Sequence, residues 1–122
     1  MKKKEVQEIS EPEFGAEVLR SMQPALVGFL AGWSKPCQLV EPVLEEVAGA
    51  CNGKAKILKV NVDDNPDLAT RYGIQSVPTL SYFVNGVVRA KIVGMASPKA
   101  ILAKLRSLTQ GNTPSKDSEL PQ

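Results

Sequence analysis

Ala25-Leu26-Val27-Gly28-Phe29-Leu30-Ala31-Gly32-Trp33-Ser34-Lys35-Pro36-Cys37 is the stretch on which the fold turns. Residues 25–31 form an unbroken apolar run between Pro24 and Gly32, the pattern of a strand buried on both faces at the centre of an α/β sheet. After Trp33 the period changes. Cys37, Val40, Val43, Leu44, Val47 and Ala48 fall on one helical stripe that runs to about residue 50. Ser34 is a good N-cap for that helix and Pro36 sits in its first turn, where a missing N–H costs nothing. Pro42 lies inside it and is expected to kink it. A buried strand thus feeds directly into a helix that carries a thiol in its first turn.

Upstream, residues 6–10 read as a first strand and residues 12–22 as a helix. Phe14, Val18, Leu19 and Met22 form its apolar stripe behind a Ser10-x-x-Glu13 capping signal. Downstream, residues 55–62 form a second apolar strand. Residues 66–72 follow as a short helix closed by Gly73. Residues 79–84 and 87–93 flank Asn85-Gly86, a strong two-residue hairpin signal. Ser97-Pro98 opens a last amphipathic helix through Ile101, Leu102, Leu105 and Leu108. The order β-α-β-α-β-α-β-β-α predicts a mixed sheet, parallel where helices join the strands and antiparallel at the hairpin, with helices on both faces.

The chain has 122 residues, 43% hydrophobic and 23% charged, enough for one domain, expected over residues 5–110. Residues 1–4 read as a flexible Lys-rich start and residues 111–122 as a disordered polar tail. With 15 Lys plus Arg against 13 Asp plus Glu, and three of the positives in Lys2-Lys3-Lys4, the body is near neutral, so no nucleic-acid footprint is expected. Glu5-Val6-Gln7-Glu8 stands where a secretory signal would need an apolar core, and no apolar stretch is long enough to span a membrane. The expected compartment is the cytoplasm, where structural disulfides are rare. The chain contains no His, which removes imidazole-based catalysis and histidine metal sites. Its two thiols, Cys37 and Cys51, lie 14 residues apart on one helix. At about 1.5 Å per residue that is roughly 20 Å, against the 7 Å or so a disulfide tolerates, so neither a bridge between them nor joint metal ligation is expected. No glycine-rich phosphate loop is present, and no cofactor is expected.

Together Phe29 to Cys37, Pro42, Lys59-Val60-Asn61-Val62-Asp63, Tyr72-Gly73-Ile74, Val77-Pro78-Thr79, Phe83-x-Asn85-Gly86 and Val93-Gly94 resemble, in order and spacing, the thioredoxin family. The resemblance covers roughly residues 5–109. It implies a thioredoxin-like three-layer sandwich with a mixed central sheet. It also implies thiol–disulfide exchange on protein targets, in which the first Cys of W-C-x-P-C attacks, made acidic at the helix N-terminus, and the second resolves the mixed disulfide. Here the first position is Ser34 and the second is Cys37. A serine hydroxyl stays protonated near neutral pH without a base, so the attacking nucleophile is absent. As a site thiol Cys37 is an expected weak monothiol; as a side chain it is equally a small buried hydrophobe. At Gly28 the family usually carries a buried Asp that assists proton transfer near a Lys, matched here by Lys59, so Lys59 is expected to lack the family's counter-charge. Leu30 replaces the family's first Trp.

The same resemblance makes Trp33, Lys35, Pro36, Val77, Pro78, Val93 and Gly94 the positions that hold an extended target segment, with or without a disulfide to it, and makes the Val77-Pro78 bond cis. By the residues alone, Trp33 is also readable as a core indole and Pro78 as an ordinary turn proline. Cys51, near a helix end, is expected to be exposed and inert, and the chain to be monomeric. Two readings of the altered centre stand side by side. In one, Ser34 is a replacement in an otherwise working dithiol oxidoreductase; in the other, Ser34 and Gly28 belong to a binding or chaperone-like module without turnover. Both imply affinity for thioredoxin-type targets with little or no dithiol turnover.

Overall fold

The computed structural model describes residues 6–109; the Lys-rich start and the polar tail lie outside them. Five strands, β1 (Val6–Glu8), β2 (Ala25–Leu30), β3 (Lys56–Asn61), β4 (Thr79–Val84) and β5 (Val87–Val93), form one sheet in the order β1-β3-β2-β4-β5. β1 and β2 pair parallel with β3, whereas β2–β4 and β4–β5 are antiparallel, giving the expected mixed sheet. The helices are α1 (Glu11–Phe14), α2 (Lys35–Cys51), α3 (Pro66–Arg71) and α4 (Pro98–Thr109).

All six residues of β2 are buried, and their alternation divides the core. Leu26 and Leu30 pack with Val40, Leu44 and Val47 of α2 and Ile101 and Leu105 of α4. Ala25, Val27 and Phe29 face the other layer, with Phe14, Val18, Leu68 and Phe83. Rings dominate that second layer: Tyr72 packs at a 40° tilt against Phe14 at 5.5 Å and meets Phe83 edge-on at 5.4 Å. Because both faces of β2 are covered, the loop leaving its carboxyl end is fixed from two sides, and α2 starts from a rigid point.

The hairpin forms as its sequence demands. Asn85 and Gly86 both take positive φ, 53° and 77°, the geometry of a type I′ turn. Gly86 is also obligatory for space, since a Cβ there would lie 2.6 Å from the Leu19 carbonyl oxygen.

The expected helix over residues 12–22 is divided. α1 gives way to a π-helical turn over Gly15–Leu19, closed by the Arg20 N–H donating to the Gly15 carbonyl at 2.9 Å. A wider turn takes an extra residue and rotates the side chains after it. Phe14 and Val18 therefore stay buried, while Leu19 reaches the surface and Met22, past the helix, is 95% exposed. Around Pro42, by contrast, α2 runs unbroken from Lys35 to Cys51, although the missing N–H leaves the Gln38 carbonyl without its usual partner.

Candidate functional site

The link from β2 to α2 is built from backbone. The Ser34 N–H donates to the Ala31 carbonyl at 3.2 Å, and the Gln38 N–H donates to the Ser34 carbonyl at 3.1 Å, opening the helix. Ser34 is extended, with φ −89° and ψ 122°, and its Oγ accepts the Cys37 N–H at 3.3 Å. That is the N-cap geometry expected from the sequence, and it turns the hydroxyl inward: Ser34 is 5% exposed. Cys37, one turn on, is 1% exposed, and its Sγ accepts the Ala31 N–H at 3.4 Å. The two residues at the exchange positions are thus knitted to the loop, one as a cap and the other as a buried thiol.

Beside them lies an open recess of about 670 Å³. It is lined by Trp33, Ser34 and Pro36, by Val62, Pro66, Ala69 and Thr70, and by Ile74 to Val77. Trp33 is 73% exposed, which settles its alternative as a core indole, and its Nε1 donates to Asp63 Oδ2 at 2.9 Å. Asp63 is itself positioned by an Asx turn, in which its N–H and that of Asp64 donate to Asn61 Oδ1. The Val77–Pro78 peptide bond is cis. Pro78 is buried, and its carbonyl accepts the Gly94 N–H at 2.8 Å. Gly94 has a φ of 94°, a conformation side chains resist, so the position favours glycine. Val93, paired with Thr79 and 62% exposed, stands beside that link. Of the sequence-predicted site residues, Trp33, Ser34, Pro36 and Val77 share the recess, and Pro78, Val93 and Gly94 join it through the β4–β5 ladder. Lys35 is exposed outside its lining.

Gly28 leaves Lys59 without the family's Asp, and another carboxylate stands in: the Lys59 Nζ lies 2.7 Å from Glu41 Oε1 on α2. The parallel register sets Lys59 beside Gly28, and both positions face α2, so the helix supplies the carboxylate that β2 does not. Gly28 is closely covered. A Cβ there would meet Leu44 Cδ1 at 3.1 Å and Leu80 Cδ2 at 3.4 Å, so apolar side chains occupy what would be a carboxylate's place. One expectation needs correction, that of an exposed Cys51. It ends α2 half-buried rather than exposed, in a recess with Leu102, Leu105 and Arg106. Burial pushes its thiol pKa up, and the nearby Arg106 guanidinium offsets this only partly. Both cysteines are free.

Glu41 and Asp63, which pair with Lys59 and Trp33, are neighbours of the site that motif reading passes over. The first has a local signal, its spacing of four residues from Cys37; the second closes the Lys59–Asp63 motif but reaches Trp33 only through the fold.

A family model for thioredoxin matches residues 5–107. The chain belongs to the thioredoxin family. Its relatives agree: it is 47% identical over 97 residues to thioredoxin 2 of Chlorobaculum tepidum, a match covering 80% of this chain and 88% of that one. It is 44% identical over 97 residues to thioredoxin 1 of a Nostoc species, covering 80% and 90%. A chloroplastic M-type thioredoxin of Pisum sativum is 40% identical over 100 residues, covering 82% of this chain and 58% of the plant protein. The family is one of thiol–disulfide oxidoreductases. Among the described residues, no helix is long and apolar enough to cross a membrane, and no group of three or more Asp, Glu or Cys is placed to hold a metal ion.

Proposed function

We propose that this chain binds the extended, disulfide-bearing segments of protein targets that thioredoxins act on, and does so with little or no dithiol turnover. The observation that carries the reading is the state of Ser34: its Oγ caps α2 by accepting the Cys37 N–H, inside a chain that has no His to act as base. An alcohol so placed does not attack a disulfide, because its proton has no acceptor and an alkoxide is far less accessible than a thiolate at neutral pH. Cys37 is then the one thiol at the site, too enclosed to begin exchange at speed.

Trp33, Pro36 and Val77 supply an apolar wall for a target side chain. Pro78, Val93 and Gly94 border the backbone edge along which an extended segment lies, and Lys35 borders the entrance. The working place is the cytoplasm, and the chain acts as a monomer.

A second reading has its own support. The apolar cover over Gly28 fits a centre that has moved away from proton transfer and become a binding module. Insulin reduction with dithiothreitol by Ser34→Cys, run beside the chain as it stands, separates them. Turnover restored in the variant alone supports the missing-nucleophile reading. A folded variant without turnover supports the binding module. Equal, rapid turnover by both refutes the proposal.

A further inference from the structure

The recess that holds Cys51 lies at the other end of α2 from Ser34, and the target groove makes no use of it. Its volume is about 640 Å³, and Cys51, Lys54, Leu102, Leu105, Arg106 and Thr109 are among its lining residues. Leu105 is buried and Leu102 half-buried, whereas Lys54 and Arg106 are exposed. No acidic side chain lines the recess, and among the described residues neither cation belongs to an ion pair: those join Lys56 to Glu17, Lys59 to Glu41 and Arg71 to Glu11. Cations near helix carboxyl ends are common. What sets these two apart is the open, partly apolar recess they share. Thr109, which ends α4 and the described residues, is itself in the lining, so the rest of the chain departs from the recess.

We propose that residues 117–120 of this chain, Asp117-Ser118-Glu119-Leu120, dock in that recess and cover Cys51. Their chemistry complements the lining: two carboxylates for Lys54 and Arg106, and one large apolar side chain for Leu102 and Leu105. The connection permits it. Gly111-Asn112 follows Thr109 directly, a pair suited to ending a helix and reversing the chain. Asp117 is eight residues past Thr109, a reach of up to about 27 Å, more than a return to the recess needs. The segment is too polar to fold alone, so the contact is weak and intermittent, held by the tether. A short flexible tether gives an effective concentration of order millimolar. At about 3 mM, a contact with a Kd near 1 mM is closed roughly three-quarters of the time.

Cys51 reports on the docking. The rate at which iodoacetamide, an uncharged reagent, alkylates it in the full chain is read on the Cys51 peptide by mass spectrometry, at a fixed alkaline pH and without any target. Labelling proceeds from the open form, so abolishing a contact that is closed three-quarters of the time raises the rate about fourfold. The full chain carrying Asp117→Lys, Glu119→Lys and Leu120→Ser together should show that rise. Asp117→Lys with Glu119→Lys, and Leu120→Ser alone, should each give part of it. High salt should speed labelling of the parent, because the ionic contacts are exposed, and leave the triple variant unchanged. All three substitutions lie outside the packed core, so the variants keep its contacts. A triple variant that labels at the parent rate overturns the proposal. So does a parent rate that falls as protein concentration rises, which would put a second copy of the chain in the recess.

Discussion

Replacing Ser34 by Ala removes one oxygen and tests whether the residue works as a cap. In the folded chain that oxygen satisfies the Cys37 N–H, one of the donors that the first turn of α2 leaves without an intrahelical partner. The site is 5% exposed, so water is poorly placed to take over. N-cap substitutions of this kind cost about 0.5–2 kcal/mol. The 3.3 Å bond is long, which argues for the middle of that range; burial of the orphaned donor argues against its bottom. The expected loss is about 1 kcal/mol. For a domain of this size that lowers Tm by roughly 4–6 °C, with a matching fall in the urea midpoint and no change in slope. Target affinity, measured at a temperature where both forms are folded, should stay within about twofold, since truncation removes no atom of the groove beyond Oγ. A Ser34→Ala chain as stable as its parent would refute the capping argument. A chain of lowered stability that also lost target binding would show Ser34 touching the ligand.

Gly28→Asp should not restore a family-like centre. Its Cβ would press on Leu44 at 3.1 Å and its carboxylate would enter apolar surroundings while Lys59 is already engaged by Glu41, so a loss of about 2–4 kcal/mol at pH 7 is expected in urea unfolding. The penalty should shrink as pH falls and the carboxyl takes up a proton; a variant as stable as the parent at pH 7 would show that the site accepts the charge. At the alkaline end, burial pushes the Tyr82 phenol from 10.0 up to about 12. The neutral form is the one the fold favours. Its contribution is therefore complete below about pH 10 and lost as pH rises toward 12, up to about 2–3 kcal/mol. Tyr82→Phe should flatten that part of the stability curve, at the expense of one 3.3 Å hydrogen bond to the Ile101 carbonyl; parallel curves for the two chains would contradict it.

Much of this molecule is written in local pattern. The change of period at Trp33 marks the end of β2 and the start of α2, and Ser34 announces the cap. Asn85-Gly86 fixes a hairpin because two consecutive positive φ angles suit those residues and few others. The π-helical turn over Gly15–Leu19 is not legible, because a wider hydrogen-bond ladder has no composition of its own and declares itself only in where Leu19 and Met22 point. Nor is the Lys59–Glu41 pair, which spans 18 residues and exists because β3 lies parallel to β2 beneath α2. The cis bond before Pro78 is an expectation of family resemblance; nothing in the dipeptide distinguishes it from a trans turn. Asp63 is visible as part of a motif, yet its bond to Trp33 joins two separate loops 30 residues apart.

The central claim is that a cap has replaced the nucleophile. The most direct measurement is multiple-turnover insulin reduction by the chain as it stands, beside an ordinary dithiol thioredoxin at the same concentration. The account predicts a rate close to that of dithiothreitol alone, with Ser34 still capping α2. A rate near that of the dithiol protein would contradict it, and would place the reaction on the buried Cys37.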